Sequence, residues 1–117
     1  MIVDDDAHVL ESLGALLRDA GFKVITVEDG SMVLAKVSKE PPSLIVLDLM
    51  LPQMPGLEIC KALKSDNATH HIPVIMLTAK TEQMDRILGL KLGADDYVTK
   101  PFSPRELILR INRALLM

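Results

Sequence analysis

The sequence has no tryptophan, two phenylalanines and one tyrosine. Aromatics are 3% of its 117 residues, so a base-stacking platform for single-stranded nucleic acid is not expected. A lone cysteine, Cys60, excludes an internal disulfide and fits a reducing, cytoplasmic setting. No apolar run approaches the roughly 18 residues of a membrane-spanning helix. No basic-then-apolar leader opens the chain, so export is not expected. Basic residues are also too few to form a concentrated face: 13 Lys and Arg stand against 16 Asp and Glu, for a net charge of −3. Direct nucleic-acid binding is therefore not expected.

Hydrophobic residues make up 49% of the chain, enough for one compact core over residues 1–117. No repeat, low-complexity segment or linker divides it. Short β-branched runs alternate with helical periods. Met1-Ile2-Val3 is a short apolar strand that stops at Asp4. Val9, Leu10, Leu13, Leu16, Leu17 and Ala20 recur at helical spacing up to Gly21. Phe22 to Val27 reads as a strand. Ser31 to Lys39 reads as a helix with Val33, Leu34 and Val37 inward, stopped by Pro41-Pro42. Leu44 to Leu47 is a continuous apolar run, as a buried parallel strand requires, and ends at Asp48. A helix over Leu57 to Lys64 follows, then a strand over Pro73 to Leu77 ending at Thr78. Glu82 to Leu92 reads as a helix closed by Gly93. Asp95 to Thr99 reads as a strand ending at Lys100. Ser103-Pro104 has the form of an N-cap and first helical residue, and Leu107, Ile111, Ala114 and Leu115 make the last helix's inner face. Five strands and five helices in strict alternation imply a parallel sheet with helices on both faces.

In such sheets, sites form beyond the carboxyl ends of the strands. Those ends carry Asp4 and Asp5, Asp48, Thr78 and Lys100. Three carboxylates at close range repel, and a hard divalent cation such as Mg²⁺ offsets them. A carboxylate at the end of a buried strand is also a nucleophile for a phosphoryl group, forming an acyl phosphate. That reaction brings anions together, so it needs a metal and a cation. Asp4 and Asp5 with the metal, and Lys100, provide both. Thr78 has a hydroxyl to donate to a phosphoryl oxygen.

Val3-Asp4-Asp5-Asp6, the segment Leu47 to Gly56, Met76-Leu77-Thr78-Ala79 and the segment Gly93 to Phe102 together resemble a response-regulator receiver domain of two-component signalling. The resemblance covers nearly the whole chain, in the family's order. It implies the flavodoxin-like strand order 2-1-3-4-5. It also implies that Asp48 accepts a phosphoryl group from the phosphohistidine of a sensor histidine kinase. Mg²⁺ or Mn²⁺ would be held by Asp5, Asp48 and the Met50 backbone carbonyl, with Asp4 acting through water. Lys100 would contact the phosphoryl group, with a cis peptide to Pro101. Thr78 would move toward the phosphoryl group and Tyr97 would turn inward behind it, altering a signalling surface. The family's first strand usually has about five residues before the acidic pair, and here there are three.

The resemblance extends to receivers of winged-helix transcription factors. It implies a homodimer on phosphorylation, built around Ile87, Leu90 and Ile108. Arg86–Glu106 and Asp96–Arg110 would be the pairs between subunits, although Glu106 and Arg110 are also spaced to pair within one helix. Lys91 and Asn112 stand where the family has an acid and a base, which removes one pair. By their place beside the site, the side chains of Met50 and Lys80 are expected to tune dephosphorylation.

Other polar residues read more plainly. Asp6 suits a helix N-cap and His8 its first turn. His70 and His71 lack a third ligand nearby and read as solvated. Cys60 lies on an inward helical position. Three other functions fit less well. A phosphatase with an Asp nucleophile needs a second Asp two residues on, and Met50 stands there. A flavin carrier needs a glycine-rich phosphate loop where Asp4-Asp5-Asp6 would repel one. A receiver-like module that never carries phosphate would not need the full set of acidic, hydroxyl and basic residues. The expected protein is a phosphoacceptor switch with only self-directed phosphotransfer and dephosphorylation, not an enzyme with an external product. No membrane association is expected.

Overall fold

Ile45-Val46-Leu47 is buried from both sides of a central strand, as its unbroken apolar character requires. In the computed structural model, the structure describes residues 1–52, 54–79 and 93–116. The strands are β1 (Ile2–Val3), β2 (Thr26–Val27), β3 (Ile45–Asp48), β4 (Val74–Ala79) and β5 (Asp96–Lys100). The helices described are α1 (Ala7–Asp19), α2 (Val33–Lys39), α3 (Gly56–Ser65) and α4 (Pro104–Leu115). A 3₁₀ turn, Gly30–Met32, leads into α2. The five strands form one sheet, ordered β2-β1-β3-β4-β5, and each neighbouring pair is parallel. The expected helix over Glu82 to Leu92 lies outside the described residues.

Side chains alternate across the pleat and build two cores. Val3, Val27, Ile45, Leu47, Val74 and Met76 face α2 and α3, meeting Val33, Val37, Ile59, Cys60 and Leu63. Ile2, Val46, Ile75, Leu77 and Val98 face α1 and α4, meeting Leu10, Leu13, Leu17, Leu107 and Ile111. Burying each of these large side chains contributes about 1.5–3 kcal/mol. Local signals set the helix ends. The Asp6 side chain accepts the His8 N–H at 2.9 Å and caps α1. After α1, Gly21 adopts φ +97°, and the Gly21 and Phe22 N–H groups donate to the Arg18 and Leu17 carbonyls at 3.0 Å. Ser103 accepts from the Glu106 N–H at 3.5 Å, with Pro104 in the first turn of α4.

Several expectations are corrected. Residues 22–25 are not strand. β1 has only two residues to pair with, and its register ends at Ile2↔Thr26. Leu34 is 39% exposed, because Val33 and Val37 lie one turn apart and Leu34 falls about 100° off their stripe. Leu115 continues the Leu107 and Ile111 stripe but is 39% exposed, because it is the last residue of α4. β4 does not stop at Leu77, since Thr78 pairs with Thr99 and Ala79 with Lys100.

Candidate functional site

Parallel register brings the acidic residues together. Val3 pairs with Leu47, so Asp4 and Asp48 emerge side by side at the carboxyl edge of the sheet. Asp4 is 0% exposed and Asp48 is 4% exposed. Asp5, the next residue in the loop, is exposed. Each of the three offers a carboxylate oxygen, and these lie within 4.8 Å of one another. Lys100 ends β5, and its Nζ donates to Asp4 Oδ2 at 3.2 Å and to Asp48 Oδ2 at 3.3 Å. Thr78 is 2% exposed on β4, between these strands.

Backbone donors hold the other carboxylate oxygens. The Asp6 N–H donates to Asp4 Oδ1 at 2.9 Å, and the Met50 N–H to Asp48 Oδ1 at 3.2 Å. Burial pushes the Asp4 carboxyl above the usual range; the Asp6 N–H opposes this, the neighbouring Asp48 adds to it, and Lys100 opposes it. Burial also acts to lower the Lys100 ammonium, but Asp48 and Asp4 outweigh it and raise its pKa. Lys100 therefore remains charged between its two partners.

Three carboxylates against one ammonium leave a surplus of two negative charges (3 − 1 = 2) if all are ionised. Oxygen donors at this spacing with that surplus suit a hard divalent cation such as Mg²⁺. The described residues thus fit the metal expected from the sequence. Among the described residues, no other group of His, Cys, Asp and Glu has such spacing.

Of the remaining expected residues, Tyr97 is half-buried on β5, opposite Met76, and packs on the α2–α3 core. Met50 is exposed in the loop after Asp48. His70 and His71 are exposed, and Cys60 is fully buried. Asp96 and Arg110 pair within one chain: the Arg110 Nη1 reaches both Asp96 oxygens at 2.8 Å. Arg110 also holds Glu106 at 3.0 Å. Ile108 is half-buried against the α1–α4 core. Lys80, Arg86, Ile87, Leu90 and Lys91 lie outside the described residues.

Sequence reasoning missed two features. In the contact of the Met50 N–H with Asp48, an aspartate accepts from the residue two positions on, as at Asp4 and Asp29, and an Asp at a strand end is the signal for it. Lys64 Nζ joins Asp95 Oδ2 at 3.0 Å and the Ile72 carbonyl at 2.8 Å, while Asp95 Oδ2 accepts the Val74 N–H at 2.8 Å. This cluster fastens the starts of β4 and β5, at the end of the sheet opposite the carboxylates.

Residues 1–112 match the response regulator receiver domain family. The alkaline phosphatase synthesis transcriptional regulatory protein PhoP of Bacillus subtilis (strain 168) is 48% identical over 115 residues, covering 98% of this chain and 47% of that protein. The DNA-binding response regulator MtrA of Mycobacterium tuberculosis (strain H37Rv) is 45% identical over 115 residues, covering 98% of this chain and 49% of that protein. The chain spans about half the length of these curated relatives. A crystal structure of a CheY-like response regulator receiver domain protein from Methanospirillum hungatei JF-1 superposes with a TM-score of 0.91 at 32% identity, covering 97% of this chain and 90% of that one. Among the described residues, no helix is long and apolar enough to cross a membrane.

Proposed function

Because this chain belongs to the response regulator receiver domain family, we propose that it is a phosphorylation-controlled switch whose phosphoacceptor is Asp48. The observation that carries this is the buried Asp48 carboxylate, with Lys100 Nζ at 3.3 Å and two further carboxylates beside it. The donor is the phosphohistidine of a sensor histidine kinase. An Asp48 oxygen attacks phosphorus, the P–O bond forms as the P–N bond breaks, and the imidazole leaves. The product is an acyl phosphate on Asp48.

Asp5, Asp48 and the Met50 carbonyl would hold Mg²⁺, or Mn²⁺, with Asp4 joined through water. The bound ion supplies charge neutralisation between the carboxylates and the incoming phosphoryl group. Lys100 offsets the charge that builds on the phosphoryl oxygens, and the Thr78 hydroxyl donates to one of them. Tyr97 shares β5 with Lys100, so a change at the phosphoryl group reaches the surface through that strand. Its readout is homodimerisation through Asp96, Glu106, Ile108 and Arg110 with the 82–92 segment, or control of an output domain or partner. The domain directs phosphotransfer only to itself and acts in the cytoplasm.

The test is transfer from an autophosphorylated histidine kinase. The reading predicts a hydroxylamine-labile label on wild-type protein and none on Asp48→Asn. Stable labelling of the Asp48→Asn chain, or turnover of an external phosphate ester, would overturn it.

A further inference from the structure

Among the described residues only Gly21 and Gly93 take positive φ, so the need for glycine at position 56 is one of space. An ideal Cβ on Gly56 would lie 2.4 Å from the Asp48 carbonyl oxygen, 2.8 Å from Leu49 Cα and 3.1 Å from the Leu49 carbonyl oxygen. All three are backbone atoms, so no side-chain rotation relieves the contact. The Gly56 N–H donates to the Leu49 carbonyl at 3.0 Å, which closes the loop after Asp48 on itself. The Leu49 N–H donates to the Leu77 carbonyl at 2.9 Å and ties the start of that loop to β4. Inside the closed loop, the Met50 N–H reaches Asp48 Oδ1 at 3.2 Å. Asp48 Oδ2 faces Lys100 Nζ at 3.3 Å. The loop therefore holds one carboxylate oxygen and β5 the other.

We infer that Gly56 is a positioning residue for the Asp48 carboxylate: the missing Cβ lets the loop close far enough for the Met50 N–H to hold Oδ1. The consequence for phosphorylation rests on the phosphoacceptor reading, whereas the hydrogen-bond geometry does not. A Cβ at position 56 must separate the two backbones by about 1 Å to reach ordinary van der Waals contact. A shift of that size at a reacting group costs about 100-fold in rate.

Gly30 is the matched control. A Cβ there would lie 3.0 Å from Leu51 Cδ1, 3.1 Å from Ile59 Cδ1 and 3.2 Å from the Met54 carbonyl oxygen. It crowds the same loop from outside and does not meet the Asp48 backbone. Wild type, Gly56→Ala and Gly30→Ala are compared at a temperature where all three are folded. Amide exchange of Met50 is measured in metal-free protein, Mg²⁺ affinity by calorimetry, and phosphoryl uptake from acetyl phosphate by intact mass. Gly56→Ala is expected to speed Met50 exchange about tenfold, the loss of one ordinary hydrogen bond. It is also expected to weaken Mg²⁺ binding and slow uptake about 100-fold. Gly30→Ala should leave all three near wild type. Unchanged Met50 exchange in Gly56→Ala, or equal losses in both variants, overturns the inference.

If Gly56→Ala does not fold, the wild-type protein decides. The Met50 and Gly56 amides must then open together, with equal protection, and unequal protection overturns the inference. A wild-type chain that takes up no phosphoryl group would sink the phosphoacceptor reading, and Met50 exchange would still decide the role of Gly56.

Discussion

Lys100 Nζ meets Asp48 Oδ2 at 3.3 Å although 52 residues separate them in sequence. Their strands are not neighbours, because β4 lies between β3 and β5. The ammonium reaches past the end of β4 and contacts Asp4 Oδ2 at 3.2 Å as well. Lys100 therefore links the two most buried carboxylates of the site, and the central strands converge on it.

Lys100→Met keeps much of the aliphatic stem and removes the charge. It is expected to slow phosphoryl uptake by about 100-fold or more, the usual cost of losing one preorganised donor to developing negative charge. Time courses of intact mass with acetyl phosphate measure this. An unchanged rate would remove Lys100 from the reaction.

Asp4→Asn should stabilise the metal-free protein at neutral pH. Burial holds the Asp4 carboxyl above its ordinary range, so its ionised form costs folding free energy. Asparagine keeps an acceptor for the Asp6 N–H, and Lys100 keeps Asp48. The expected gain is about 3–5 °C in Tm by calorimetry in chelator. A lower Tm would mean that the Lys100 pairing outweighs the burial cost.

Tyr97 is the only tyrosine, so fluorotyrosine labelling gives a single fluorine resonance. The switch reading predicts that this resonance shifts on phosphorylation in wild type and stays put in phosphorylated Thr78→Ala. A shift of equal size in both would uncouple Tyr97 from Thr78.

The dimer reading requires Asp96 and Arg110 to exchange an intrachain pair for one between subunits. Phosphorylated protein should sediment as a dimer and unphosphorylated protein as a monomer. Asp96→Ala should weaken the dimer at least about tenfold while leaving phosphoryl uptake intact. A phosphorylated wild type that stays monomeric would end this proposal.

Much of this was legible in the sequence. The apolar runs at Leu44 to Leu47 and Val74 to Leu77, bounded by prolines and polar residues, read as buried strands, and each leads straight to a polar residue of the site. Caps at Asp6 and Ser103 were readable because their chemistry is local. Residues 22–25 were less so: their pattern suits a strand, but β1 is so short that only the Ile25 carbonyl meets it, accepting the Ile2 N–H at 2.8 Å. Leu34 lies beside the buried stripe of α2, and Leu115 lies on the stripe of α4 but at its last residue, so both stay partly exposed. The close approach of Gly56 to the Asp48 and Leu49 backbone depends on how the loop closes, and residue type alone does not report that.

The most direct test of Asp48 as phosphoacceptor is intact mass after incubation with acetyl phosphate, with and without Mg²⁺, for wild type and Asp48→Ala. The account predicts a single phosphoryl adduct that requires Mg²⁺ and is missing from the variant. An adduct of equal yield on Asp48→Ala, or one indifferent to Mg²⁺ removal, would contradict it.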